Sequence, residues 1–97
     1  MPAEAASTEV RDNPARHRYE LVVDGVTAFV TYERQPGRIV LVHTEVPDAL
    51  AGKGVGSRLA KGALDSIRAA GMKLVPQCPF IARFIEKHPE YRDLVAA

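Results

Sequence analysis

Residues 43–65, HTEVPDALAGKGVGSRLAKGALD, join the end of a strand to the start of a helix, and this join governs how the rest of the chain can fold. Pro47 ends the strand, because proline brings no N–H to a sheet ladder. From Val55 the apolar period becomes helical. Val55, Leu59, Ala63 and Ile67 fall four apart, and Ala60 and Leu64 widen the stripe, while Arg58, Lys61, Asp65 and Arg68 lie mostly on the other side. Between strand and helix stand Gly52, Gly54 and Gly56 around Lys53. The first N–H groups of a helix have no intrahelical partner, the dipole there favours an anion, and glycines let a phosphate approach without meeting a Cβ. Spacing excludes two common phosphate loops. GxxxxGK[ST] needs Ser or Thr where Gly54 stands and glycine where Pro47 stands. GxGxxG/A fits Gly52 and Gly54 but meets Ser57, with no acidic residue about twenty positions on.

Upstream, RYELVV (18–23) and VTAFVTYE (26–33) alternate as strands around Asp24-Gly25, a two-residue hairpin signal. Pro36 and Gly37 mark the next turn. RIVLVHTEV (38–46) is apolar on both faces through Val42, as suits a central strand. Downstream, Gly71 stops the helix and MKLVPQC (72–78) is a short buried strand. Pro79 opens a second helix to about Lys87, with Ile81, Phe84 and Ile85 inward, and His88-Pro89 ends it. Tyr91 and Leu94 are placed to pack back. The expected fold class is α+β: three antiparallel strands, then a right-handed β-α-β crossover that makes the last strand parallel to the third, then a C-terminal helix. Residues 1–16, polar and broken by Pro2 and Pro14, read as a flexible tail, and 17–97 as a single domain.

Ninety-seven residues suffice for one domain. A net charge of +1, with acids and bases interspersed, argues against nucleic acid as a partner. No apolar run approaches the ~20 residues of a membrane span, and the first residues lack the basic start and apolar centre of a secretory signal. With one cysteine no internal disulfide forms, and the expected location is cytoplasmic. Three scattered histidines give no metal-ligand spacing.

Three residues are candidates for chemistry. His43 and Glu45 are two apart on a strand, so they share a face, and Glu45, nearer the strand end, is the better general base. The competing reading makes both surface polar residues. Cys78 precedes Pro79 at a helix N-terminus, where a negative thiolate is favoured, although a lone cysteine is most often an inert buried hydrophobe.

Residues 43–65, together with LVPQCPFIARFIEKHPEYRDL (74–94), resemble the GCN5-related N-acetyltransferases, and within them the small YjdJ-type acetyltransferase-like domains. Gly54-Val55-Gly56 match the second half of that superfamily's Q/R-x-x-G-x-G/A loop, but Ala51 stands where Arg or Gln is usual. The resemblance implies an acetyl-CoA-binding protein that transfers an acetyl group to an amine acceptor of unknown identity; a chain this short leaves its acceptor side open, which suits a protein or peptide amine or no efficient acceptor at all. It implies that Val46, Gly52, Lys53, Gly54, Val55, Gly56, Ser57 and Arg58 bind coenzyme A, with backbone N–H groups from about Lys53 to Ser57 on the pyrophosphate and Lys53 and Arg58 at its rim. It makes Cys78 a candidate catalytic residue beside Glu45 and His43. Both direct amine attack and an acetyl-cysteine relay remain open. A module that binds coenzyme A with little or no transferase activity is the alternative.

Overall fold

The computed structural model describes residues 9–96. One sheet holds five strands in chain order: β1 (Val10–Asn13), β2 (Arg18–Val23), β3 (Val26–Gln35), β4 (Arg38–Glu45) and β5 (Lys73–Pro76). The first four are antiparallel neighbours, and β5 runs parallel to β4. Helix α1 (Val55–Ala69) makes the crossover between them, and α2 (Pro79–Lys87) follows β5. A 3-10 segment, Pro89–Leu94, then returns the chain to β5, where Val95 bridges Leu74. The fold is α+β, as the order of apolar periods implies.

Local chemistry explains the elements. Asp24 and Gly25 have φ of 53° and 77°, the two positive values that a type I′ turn demands, so β2 and β3 close as a tight hairpin. On α1, Val55, Leu59, Ala60, Ala63, Leu64 and Ile67 are all buried, and they pack on the inward residues Leu21, Ala28, Val30, Ile39 and Leu41 of the sheet. Ile81, Phe84 and Ile85 of α2 and Tyr91 and Leu94 complete the same core.

The expectation of a tail over 1–16 is corrected within the described residues. Val10–Asn13 is a strand paired with β2, and Pro14–Arg16 is a 3-10 turn leading into it; residues 1–8 lie outside the described residues. The strand escapes a reading of periodicity because only Val10 of the four is apolar. Its partners are distant in sequence. Val10 packs on α1 so closely that a Cβ at Gly62 would overlap its side chain. Asp12 accepts a hydrogen bond from Tyr32 Oη (2.5 Å), and Asn13 donates to Glu20 (3.1 Å).

Burial also sets a pH limit. Burial first, then the nearby Asp12 carboxylate, push the Tyr19 hydroxyl from 10.0 up to about 12. Burial raises Tyr32 and Tyr91 as well, with Asp12 and Asp65 accepting their hydroxyl protons. A raised folded-state value means that the unfolded chain ionises first as pH rises. Stability from the neutral phenol is therefore complete below pH 10 and is lost between pH 10 and about 12. For Tyr19 this is on the order of 2–3 kcal/mol. Urea unfolding at pH 9 and pH 12 should show this loss, and Tyr19→Phe should reduce it by about that amount.

One irregularity positions the site. Thr31 pairs with His43, but Tyr32 pairs with Leu41, so Val42 is an extra residue on β4. Such a bulge reverses the inward and outward alternation beyond it. Pairing between β4 and β5 reaches only Leu41↔Pro76, so on that side β4 continues without a partner strand through Glu45.

Candidate functional site

The loop after β4 is anchored by Leu50, which is buried at the end of a 3-10 turn (Asp48–Leu50). Gly52 and Gly54 have φ of 79° and 71°, so the chain turns into α1 through left-handed residues. The first intrahelical bond runs from Arg58 N–H to Gly54 O (3.1 Å). The backbone N–H groups of Gly54, Val55, Gly56 and Ser57 have no partner among the described residues. The first turn of α1 contains no acidic side chain. These groups border a cavity of about 250 Å³ lined also by Val46, Leu50, Ala51, Gly52 and Phe80. The Phe80 ring lies across Gly56, where an added Cβ would stand 2.8 Å from Cζ. Free donors at a helix N-terminus, with no acidic side chain in its first turn, are features that fit a pyrophosphate.

Two of the expected binding residues are placed differently. Lys53 does not line this cavity. Its N–H bonds Leu50 O (3.4 Å), and its Nζ pairs with Asp24 in the β2–β3 turn (3.0 Å). Arg58 pairs with Glu9 just before β1 (2.9 Å) and borders a neighbouring cavity between α1 and α2. Its guanidinium holds the Glu9 carboxyl below the usual range. Each side chain instead meets a carboxylate, Lys53 in the β2–β3 turn and Arg58 just before β1. The pairs are well exposed, so each contributes little to stability.

The candidate chemical residues form two groups. His43 and Glu45 share a face as expected, with Nε2 and Oε1 2.9 Å apart. That face is the solvent side of the sheet, and their side chains are 61% and 54% exposed. Thr44 points to the helix side, where its Oγ1 lies 3.2 Å from Cys78 Sγ. Cys78 is 3% exposed, and its N–H bonds Leu41 O (2.8 Å). The sheet therefore separates the thiol from the His43–Glu45 pair. Thr44 was missed by the sequence reading, since only the bulge turns it inward. His88 acts as a helix terminus: its imidazole Nδ1 donates to Phe84 O (2.9 Å) and its ring stacks on Phe84.

The family model described as GCN5-related N-acetyl-transferase matches residues 18–94. The chain belongs to the GCN5-related N-acetyltransferase family. Among curated relatives it is similar to Protein NATD1 of Bos taurus, 33% identical over 91 residues that span 91% of this chain and 80% of the relative. Protein NATD1 of Mus musculus is 35% identical over 83 residues, 82% of this chain and 76% of the relative. Among solved structures, the NMR solution structure of a GCN5-like protein from Staphylococcus aureus superposes with a TM-score of 0.69 at 27% identity, covering 92% of this chain and 88% of the other. The matched segment of the GCN5-related family includes β2 to the 3-10 turn, with the glycine loop and Cys78, but begins after β1. Among the described residues no helix is long and apolar enough to cross a membrane.

Proposed function

We propose that this chain binds acetyl-coenzyme A on the glycine loop and transfers the acetyl group to an amine acceptor that reaches Glu45 from the open face of the sheet. The observation that carries the reading is the row of free N–H groups from Gly54 to Ser57, bordering a cavity that is also lined by Val46, the residue after the unpaired stretch of β4. Acetyl-coenzyme A supplies the acetyl group as a thioester; a C–N bond forms to the amine and the C–S bond breaks, releasing coenzyme A. The loop amides hold the pyrophosphate, and Val46 walls the route towards β4. Glu45 accepts the proton that the amine nitrogen loses, with His43 fixing its carboxylate by the 2.9 Å contact. Direct transfer suits this arrangement better than a relay, because the Cys78 thiol is buried on the other face.

The acceptor side supports a protein or peptide amine. His43 and Glu45 stand on an exposed sheet face, and among the described residues both helices pack on the other one. The same openness favours, as a second reading, a coenzyme A-binding module without efficient transfer. Calorimetry with coenzyme A and acetyl-coenzyme A should show one site with dissociation constants below millimolar. No binding at millimolar ligand would defeat both readings. Thiol release from acetyl-coenzyme A across a panel of amines and lysine peptides separates them: acceptor-dependent release supports the transferase, and binding without release supports the module.

A further inference from the structure

The loop's nearest cations are already engaged. Lys53 meets Asp24, Arg58 meets Glu9, and Lys61 meets Asp65 at 2.8 Å. The surface that borders the loop nevertheless continues. Ser57 and Phe80 also line a second cavity of about 180 Å³, whose other walls are Arg83, Phe84, Lys87 and His88. Arg83 and Lys87 are four apart on α2 and so share a face. Among the described residues neither lies within ion-pair distance of a carboxylate. Glu86, between them in sequence, does not line this cavity, and Glu90 borders the adjoining one.

We propose that Arg83 and Lys87 bind the ribose phosphate of coenzyme A and make the chain prefer coenzyme A to dephospho-coenzyme A. The proposal rests on the coenzyme A reading of the loop and gives it a direction. The loop cavity is lined by Val46, just beyond the end of β4, and by Ser57 and Phe80, which also line the second cavity. The thioester arm is assigned to the side of Val46, which follows the stretch of β4 beyond Leu41 that has no β5 partner. With the arm at Val46, the nucleotide end is assigned to the walls the two cavities share, Ser57 and Phe80, and these adjoin the two cations on α2. A phosphate monoester carries nearly two negative charges at neutral pH. Arg83 offers a planar fork of donors to it, and Lys87 a point charge. Dephospho-coenzyme A keeps the pyrophosphate and the arm but lacks this group, so it reports on the second cavity alone.

The test is calorimetry of the native chain and of the Arg83→Ala/Lys87→Ala double variant with both ligands at low salt. Alanine is the strongest helix former, so α2 persists, and binding of dephospho-coenzyme A by the variant verifies its fold. The native chain should prefer coenzyme A by about tenfold, the scale of exposed charge pairs, and added salt should reduce the preference. The double variant should bind both ligands equally, within about twofold of the native affinity for dephospho-coenzyme A. Equal binding of the two ligands by the native chain, or a preference that survives in the double variant, overturns the proposal while the loop reading stands. If neither ligand binds at millimolar concentration, the loop reading falls and this proposal with it.

Discussion

Gly56→Leu should lower acetyl-coenzyme A affinity by about a hundredfold or more while the chain stays folded. Gly56 lies in the first turn of α1 and contributes one of the four free N–H groups. It is not among the positive-φ glycines, so a side chain there brings no backbone strain. Replacing glycine by leucine within a helix even favours the helix by about 0.5–1 kcal/mol. The new Cβ would meet Phe80 Cζ at 2.8 Å, but Phe80 is 39% exposed and can turn aside. The leucine and the displaced Phe80 ring, which itself lines the cavity, then both take up space beside the amides. A hydrogen bond to a charged group is worth about 1.5–3 kcal/mol, so blocking two of them costs about 3 kcal/mol or more. That corresponds to at least about a hundredfold in the dissociation constant. Calorimetry measures the affinity, and thermal unfolding should show a midpoint within a few degrees of the native value. A variant that binds as tightly as the native chain would remove the loop from the binding site.

The sequence made most of this fold legible where a single local rule decides the outcome. The stripe on α1, the Asp24-Gly25 turn and the span Pro79–Lys87 each depend on residues within a few positions of one another. The placement of β1 does not. Val10 has meaning only against Gly62, fifty-two positions away, and Asp12 only against Tyr32. The grouping of the candidate site was obscured by one extra residue. From Ile39 and Leu41, regular alternation carries His43 and Glu45 to the helix side, where Cys78 lies. The bulge at Val42 reverses this, so Thr44 turns inward and His43 and Glu45 face solvent. A bulge is a mismatch between two strands, and β4 alone does not contain it. Likewise, Lys53 and Arg58 look available to a phosphate until the sheet brings Asp24 and Glu9 to them.

The separation of the two groups by the sheet assigns them unequal roles and gives the second large effect. Glu45→Gln should lower amine acetylation, read as kcat/KM for the acceptor, by about 10²–10⁴-fold, the usual contribution of a positioned general base. Acetyl-coenzyme A affinity should hardly change, because Glu45 lies on the solvent face and does not line the loop cavity. Glutamine keeps the size of the side chain and can still contact His43, so loss of rate would report the lost proton acceptor. Cys78→Ala should retain the rate within about threefold. Its cost should fall on stability instead. The thiol is buried, and its removal leaves Thr44 Oγ1 without that contact and a small void, worth about 1–2 kcal/mol. Paired kinetics and urea unfolding of the two variants give the comparison. If Cys78→Ala keeps cofactor binding but loses transfer, and mass spectrometry of the native chain finds an acetyl group on the thiol, the relay replaces direct attack. The sulfur would then accept the acetyl carbon as the C–S bond of coenzyme A breaks, and the acceptor amine would displace it in turn. Retained transfer in that variant, with a deep loss in Glu45→Gln, would place the chemistry on the solvent side of β4.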